Sequence, residues 1–424
     1  MKCLIKSTVP VLSLALCSLF VSATTTLSKA MALEPTTKLR IATFNVSMEA
    51  LNYVDKDSAN SLASHNVTGN ELTQALQPSS QQKNALQNSL QIKNIAEIIQ
   101  RINPDIILLN EFDRVDNSHK NIRTFLNQYL AHKQNGQESV RYPYFYQGAV
   151  NTGVKINADI NHDGKSNQAP ADTHGFGYFE GHYGMVLLSK YPINEAEIRT
   201  FQHFKWRDMP NALKPIDPDT NQPWFSEQAW QALRLSSKSH WDIPVNINGK
   251  TIHILASHPT PPVFDGPEDR NGKRNHDEIR FWVDYINGEQ GHYIYDDSGK
   301  KGSLAAQQAF VLLGDQNAST INGNAIAVEG SQGIYALLNS DKIQDPMPSS
   351  LGGKQHDTNN KSAKYYTAHW GMRPDYVLPS TYGFTLIDSG VYWPEKQQES
   401  YRLIKNRQAS SDHRLVWVDV ELTQ

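Results

Sequence analysis

The chain has 424 residues, 39% hydrophobic and 20% charged, which supplies a large core and excludes a disordered chain. Its 40 Lys and Arg against 43 Asp and Glu leave a formal net charge of −3. That excludes the overall basic surplus with which proteins clamp long nucleic acid, although a local basic patch stays open.

The first 32 residues read as a secretory signal peptide. Lys2 and Lys6 precede the apolar run "VLSLALCSLFVSA", and "AMA" ending at Ala32 offers small residues for cleavage. The run is too short to span a bilayer securely, so no transmembrane segment is expected in the mature chain. Both cysteines, Cys3 and Cys17, fall in this segment, and the exported domain (33–424), secreted or periplasmic, is expected to have no disulfide. Losing Lys2, Lys6 and Lys29 takes the net charge from −3 to about −6. A monomer is expected.

"KLRIATFNV" (38–46) predicts a strand, followed by a polar excursion to about residue 88. "LQIKNIAEIIQRI" (90–102) has Ile at helical spacing and is ended by Pro104. "DIILLNEF" (105–112) predicts a buried strand, "NIRTFLNQYL" (121–130) a helix and "YPYFYQGAV" (142–150) a strand. A Gly- and Asp-rich loop covers 151–183. "GMVLLSKYPI" (184–193) and "KTIHILASHP" (250–259) predict strands separated by a Trp- and Pro-rich segment without period. "HDEIRFWVDYI" (276–286) predicts a helix capped by Asn275. "AFVLLGDQNA" (309–318), "RPDYVLPS" (373–380) and "FTLIDSGVYW" (384–393) predict strands. So does the end of "SSDHRLVWVDVEL" (410–422), where Val416, Val418, Val420 and Leu422 alternate with Asp419 and Glu421. Without repeats or a linker, this pattern points to one α/β domain of two packed sheets flanked by helices.

Apolar strands repeatedly run out into polar residues: Asn45, Asn110-Glu111, His258, Asp315-Gln316-Asn317, Asp375 and Asp412-His413. Taken singly, each suits a turn or a surface pair. Converging strand ends, however, gather such groups on a rigid rim. Hard oxygen donors without cysteine suit Mg²⁺, Mn²⁺ or Ca²⁺ better than zinc.

In order along the chain, "TFN", "NE", "GMVLLSKYPI", "SH", "GDQNA", "RPDYVL" and "SDH" resemble the motifs of the endonuclease/exonuclease/phosphatase superfamily. The resemblance spans about residues 38–422. Two departures are Asn110, where Gln usually precedes the acid, and Gln316, where an aromatic usually separates Asp and Asn. The resemblance implies a four-layer α/β/β/α sandwich of mainly antiparallel sheets, here with long loop insertions. It also implies metal-dependent hydrolysis of phosphate esters, with Glu111 as principal metal ligand and Asn45 and Asp412 nearby. Asp315 would hold or deprotonate the attacking water, and Asn317 would donate to a non-bridging oxygen. His258 and His413 would flank the phosphate, and Asp375 would orient His413.

Further candidates stand outside the motifs. Arg274, Asn275 and His276 are placed at an expected helix start, where backbone N–H groups favour anions. His182 and His369 precede core strands at the expected cleft. In "DINHDGKSN", Asp159, Asn161 and Asp163 are spaced like the first half of a calcium loop, an additional structural Ca²⁺ site, although Pro170 occupies the acidic twelfth position. The leading expectation is a secreted phosphoesterase acting on a small or lipid-like ester. An extracellular nuclease is the alternative, and a catalytically inactive binding module of the same fold is a third reading.

Overall fold

Two alternating segments from opposite ends of the chain lie side by side: β1 (Thr37–Met48) pairs antiparallel with β15 (Val416–Leu422). In β15 the valines at 416, 418 and 420 are buried, while Trp417, Asp419 and Glu421 face partly outward, as the alternation requires. The computed structural model describes residues 37–54, 67–77, 85–322, 327–328 and 331–423. The expected signal peptide and parts of the 46–88 excursion lie outside these residues.

One sheet runs in the order β14 (Phe384–Val391), β15, β1, β2 (Ile106–Phe112), β4 (Met185–Ser189) and β3 (Tyr144–Tyr146). Only β1 and β2 are parallel in it. The other runs β13 (Asp375–Pro379), β10 (Phe310–Asp315), β9 (Lys250–Ser257), β8 (His240–Ile247) and β5 (Arg199–Thr200). There only β9 and β10 are parallel. Two short ribbons, β6 (Ile216–Asp217) with β7 (Gln222–Pro223) and β11 (Ala327–Val328) with β12 (Ser331–Gln332), lie outside both sheets.

Strand alternation assigns side chains to two cores. Ile254, Ala256, Val311 and Leu313 join Ile41, Val418 and the helix isoleucines Ile92, Ile95, Ile98 and Ile99 in the first. Each such buried isoleucine contributes roughly 1.5–3 kcal/mol. Leu255, Leu312 and Leu378, pointing the opposite way, pack on Ile279, Trp282 and Tyr285 of the helix Arg270–Ile286 in the second. The result is the expected helix/sheet/sheet/helix sandwich. The helix Ala85–Ile102 ends as Asn103 turns left-handed, with φ 49°, immediately before Pro104.

Several expectations need correction. The segment 142–150 forms only the three-residue β3. The helix expected from 276 begins six residues earlier, at Arg270, behind Asp269. Strand β8 was hidden by Pro244, which nonetheless holds a place in the ladder opposite His253. The unpatterned segment before β8 is no mere rim loop. Its Trp206, Phe225, Trp230 and Leu235 are buried in the second core. No helix among the described residues is long and apolar enough to cross a membrane.

Candidate active site

The topology explains why polar residues from distant motifs meet. The C-terminal ends of β1, β2, β9 and β10 lie at one edge. Because β15 runs antiparallel to β1 and β13 antiparallel to β10, their N-terminal ends reach the same edge. Within the ladders Asn45 stands beside Asn110, and Asp315 beside Asp375. The β1–β2 register shifts just after Asn45, a bulge of the kind that re-aims side chains. At the same rim Glu111 and Asn317 hold φ of 55° and 51°, uncommon for residues with a side chain.

The centre of the site is the buried Asp315 carboxylate. Its Oδ2 accepts from Asn45 Nδ2 at 3.1 Å and lies 3.4 Å from His258 Nε2 and 3.6 Å from His413 Nε2. Its Oδ1 accepts the Asn317 backbone N–H at 2.9 Å. Burial alone would raise its pKa. The His413 and His258 imidazoles and the Asn45 amide outweigh burial and hold Asp315 well below the usual carboxylate range.

Asp375 receives His413 Nδ1 at 2.9 Å on Oδ2 and 3.1 Å on Oδ1, and the Thr367 hydroxyl at 2.7 Å. Burial disfavours a charged His413, but Asp375 and Asp315 outweigh it and raise the imidazole pKa. Burial lowers the pKa of His258, and the positive charge of Lys238 adds to that effect against the pull of Asp315. The two histidines therefore differ: the imidazole pKa is raised at His413 and lowered at His258. Asn317 Nδ2 already donates to Pro259 O at 3.1 Å, leaving one amide hydrogen for a ligand.

The opposite side of the site is acidic and less satisfied. Among the described residues nothing donates a hydrogen bond to the half-buried Glu111 carboxylate. Asn45 Oδ1 accepts from the Ser47 N–H at 3.2 Å, and Asp412 Oδ1 accepts from the Ser47 hydroxyl at 3.3 Å. Asp412 Oδ2 is 3.3 Å from Arg407. The set is oxygen-only, as a hard divalent ion requires, and Glu111 is free to ligate. Asp315, Asp375 and His413 also offer donor atoms within 4.8 Å of one another. Those atoms are already engaged, however, and a cation there would have to break the Asp375–His413 bond. The residues therefore fit an ion on Glu111 better.

Ser411 ties the two sides together. It donates to Asn45 O at 2.7 Å and accepts the His413 N–H at 3.0 Å. The departures from the family pattern lie just beneath. Asn110 Oδ1 accepts from Thr43 Oγ1 and the Asp315 N–H, both at 3.3 Å, and Gln316 is bonded to Ser257.

Other sequence candidates are not brought to the centre. Arg274, Asn275 and His276 lie inside the helix rather than at its start, so no free N-terminal N–H groups surround them. Arg274 binds the carbonyls of Leu235, His174 and Arg234, and Asn275 those of Thr260 and Gln316. His276 bonds to neighbouring Asp277. His182 is fully buried, 3.1 Å from Glu49 and stacked on Phe179 and Tyr183, so it does not line the cleft. His369, whose pKa burial lowers, donates its backbone N–H to Asp412 O at 2.8 Å. The Asp159–Asp163 loop is a turn closed on itself. Asp159 accepts the N–H groups of His162, Asp163 and Gly164, and Asp163 that of Lys165. Its carboxylates accept hydrogen bonds from the loop's own backbone.

Sequence reasoning missed three residues. Trp370, half exposed, sets its ring edge-on to His413 with centroids 4.9 Å apart. Arg407 pairs with Asp412, and Lys238 lies buried just ahead of β8. Trp370, in "HWGMRPDY", and Arg407, shortly before "SDH", stand near motifs; Lys238 does not.

Known proteins bear on this geometry as follows. The solved structures most similar to this chain include an endonuclease/exonuclease/phosphatase from Beutenbergia cavernae. It is 17% identical with a TM-score of 0.46, over 91% of this chain and 72% of that one. The human Nocturnin catalytic domain with bound sulfate is 14% identical, with a TM-score of 0.43 over 91% and 95%. A mutant beta toxin from Staphylococcus aureus with bound magnesium ions is 12% identical, with a TM-score of 0.39 over 92% and 100%. No curated protein matches the sequence. The decisive match is the family model described as Endonuclease/Exonuclease/phosphatase family, which covers residues 42–413, from just ahead of the first motif to His413. The chain belongs to the endonuclease/exonuclease/phosphatase family, a family of metal-dependent phosphoesterases and nucleases.

Proposed function

We propose that this protein is an exported, divalent-metal-dependent hydrolase of phosphate esters, with a small or lipid-like ester as substrate. The observation that carries the reading is the meeting of Asn45, His258 and His413 on one oxygen of Asp315, at the same rim as Glu111, which is unpaired among the described residues. Asp315, kept ionised by these neighbours, accepts a hydrogen from the attacking water and aims it. A carboxylate held so far below its usual pKa orients the water and is a poor final holder of its proton. His413, fixed through Nδ1 by Asp375, presents Nε2–H to a phosphoryl oxygen and offsets charge developing there. The remaining amide hydrogen of Asn317 serves a non-bridging oxygen without adding charge. Held by Glu111 with Asn45 and Asp412 beside it, Mg²⁺ or Mn²⁺ would polarise the phosphoryl group and stabilise the leaving oxyanion.

The acidic balance of the chain disfavours a long nucleic-acid substrate, whose phosphates need several basic contacts. Export rests on the leader-like first 32 residues. The test is turnover by the purified chain, with Mg²⁺ at near-physiological salt, on aryl phosphates, inositol phosphates, sphingomyelin and plasmid DNA. The expected result is kcat/KM at least roughly tenfold higher for a small or lipid-like ester than for DNA, or about 1.4 kcal/mol. Efficient DNA degradation with every ester intact would establish the nuclease reading instead.

A further inference from the structure

The chain that carries His258 outruns its ladder. Strands β9 and β10 pair as far as Ala256 and Leu313, short of both His258 and Asp315. The sequence forbids more on the His258 side, because Pro259, Pro261 and Pro262 bring no N–H to a ladder. Among the described residues, no main-chain hydrogen bond joins 258–260 to 315–317. Asp315 is held independently. It faces Asp375 in the β10–β13 ladder, and the Gln316 N–H donates to Pro374 O at 2.7 Å. On the strand of His258 the last paired residue is Ser257, opposite His240 of β8.

Side chains replace the missing ladder. The carbonyls of His258, Pro259 and Thr260 accept from Ser237 Oγ at 3.3 Å, Asn317 Nδ2 at 3.1 Å and Asn275 Nδ2 at 2.8 Å. The Thr260 N–H, the one main-chain donor among residues 259–262, goes to Glu278 at 2.7 Å. Asn275 Nδ2 also donates to Gln316 O at 2.9 Å, between Asp315 and Asn317. One buried amide inside the helix Arg270–Ile286 therefore uses its two hydrogens on the ends of two strands. Asparagine is a poorer helix former than alanine or leucine, so helix formation does not account for it there.

We propose that Asn275 is a positioning residue for hydrolysis. By bridging Thr260 O to Gln316 O it sets the His258 imidazole against Asp315, where Nε2 and Oδ2 are 3.4 Å apart. The inference rests on the phosphoester reading and goes beyond it by assigning the geometry of the site to a residue whose own contacts are main-chain carbonyls. The β10 end, anchored by β13, is the reference, and the proline-rich segment is what Asn275 holds to it. Without the bridge, Glu278, Ser237 and Asn317 still restrain that segment, so the fold survives while the imidazole drifts. A misplacement of about 1 Å can cost roughly a hundredfold in rate.

The test is a double-mutant cycle of Asn275→Ala with His258→Ala. It is read with Mg²⁺ on whichever of 4-nitrophenyl phosphate, bis(4-nitrophenyl) phosphate and plasmid DNA the wild type cleaves. Asn275→Ala is expected to lower kcat at least about tenfold. KM and Mg²⁺ affinity are expected to stay within about twofold of wild type, because Glu111 belongs to the other sheet. With His258 already removed, the same substitution is expected to cost less than about twofold. In NMR spectra of the metal-free single variant the His258 imidazole signals are expected to move, and those of His413, held by Asp375, to stay. Should His258→Ala leave too little turnover to measure, these signals decide. Asn275→Ser keeps one donor and cannot bridge two carbonyls; it replaces the alanine variant if that does not fold. Failure of both to fold makes Asn275 structural and overturns the proposal. So does an equal loss in both backgrounds, or an unmoved His258, and either leaves the phosphoester reading standing. A wild type that cleaves none of the three substrates removes that reading, and the inference with it.

Discussion

The two halves of the site are built differently. From the five-stranded sheet come His258, Asp315 and Asp375, buried groups whose polar atoms are largely engaged with one another. From the six-stranded sheet come Asn45 and Glu111, with Asp412 just ahead of β15, and there no described residue donates a hydrogen bond to the Glu111 carboxylate. A nearly saturated network, in which His258 Nδ1 is unpartnered among the described residues, fixes geometry before anything binds, whereas a carboxylate without a donor stays available to a cation. Rigidity on one side and vacancy of charge on the other suit chemistry in which an ion must enter and a water must be aimed.

The largest expected effect breaks the acidic half. Chelation, or Glu111→Gln, is expected to lower turnover of any cleaved phosphoester by at least about a thousandfold, the scale of several kcal/mol supplied by an ion at a phosphate. Added Mg²⁺ or Mn²⁺ is expected to restore the chelated wild type but not the variant. Because no described residue donates a hydrogen bond to the Glu111 carboxylate, Tm of Glu111→Gln is expected to stay at or above that of the metal-free wild type. Full turnover after exhaustive metal removal would refute the division between the two halves.

The next effect tests the saturated half. Asp315→Asn removes the charge that His258, His413 and Asn45 surround, and is expected to lower kcat at least about a hundredfold. Unlike Glu111→Gln, it leaves His413 with one carboxylate neighbour fewer, and the pKa of that imidazole is expected to fall from its raised position. NMR titration of His413 without metal measures this. An unmoved imidazole, with normal turnover, would take Asp315 out of the network.

How much of this was legible in the sequence follows from the same difference. Strand-end acids announce themselves because an apolar run stops at a polar group, and "GDQNA" and "SDH" needed no structure to be noticed. Lys238 gave no such sign. "LSSKSHWDIP" reads as a polar loop because serines precede it and Pro244 interrupts the following alternation. The helix start was misplaced for a related reason. "RNGKRN" contains a glycine and no large apolar residue, so periodicity is visible only near Ile279, and Asn275 reads as a cap. In "DINHDGKSN" the spacing that brings carboxylates to an ion also lets Asp159 fold back on the N–H groups of its own turn. Local sequence does not separate these outcomes.

The smallest expected effect concerns another histidine, His240, at the edge of the saturated half, where burial lowers the imidazole pKa as it does at His413 but no carboxylate outweighs it. His240, at the start of β8, is 1% exposed; its Nδ1 is 2.6 Å from the Ser236 hydroxyl and its Nε2 2.8 Å from Glu278 O. The carbonyl can only accept, so Nε2 carries the proton and Nδ1 accepts from Ser236; the ring is satisfied as neutral imidazole. Burial lowers its pKa from 6.5 to about 4, with no carboxylate near enough to reverse the effect. The unfolded chain therefore binds a proton at this position between about pH 6.5 and pH 4 that the folded chain refuses. The stability from keeping His240 neutral is complete above the unfolded value near 6.5 and is lost as pH falls toward 4, by about 1.4 kcal/mol per unit and about 3 kcal/mol in all. His240→Gln keeps a donor for Glu278 O but cannot titrate. Chemical denaturation from pH 7 to pH 4 should show wild type losing stability more steeply than the variant by that amount. Parallel curves would mean that His240 takes up its proton in the folded state, and the network around Glu278 would then have to accommodate a buried cation.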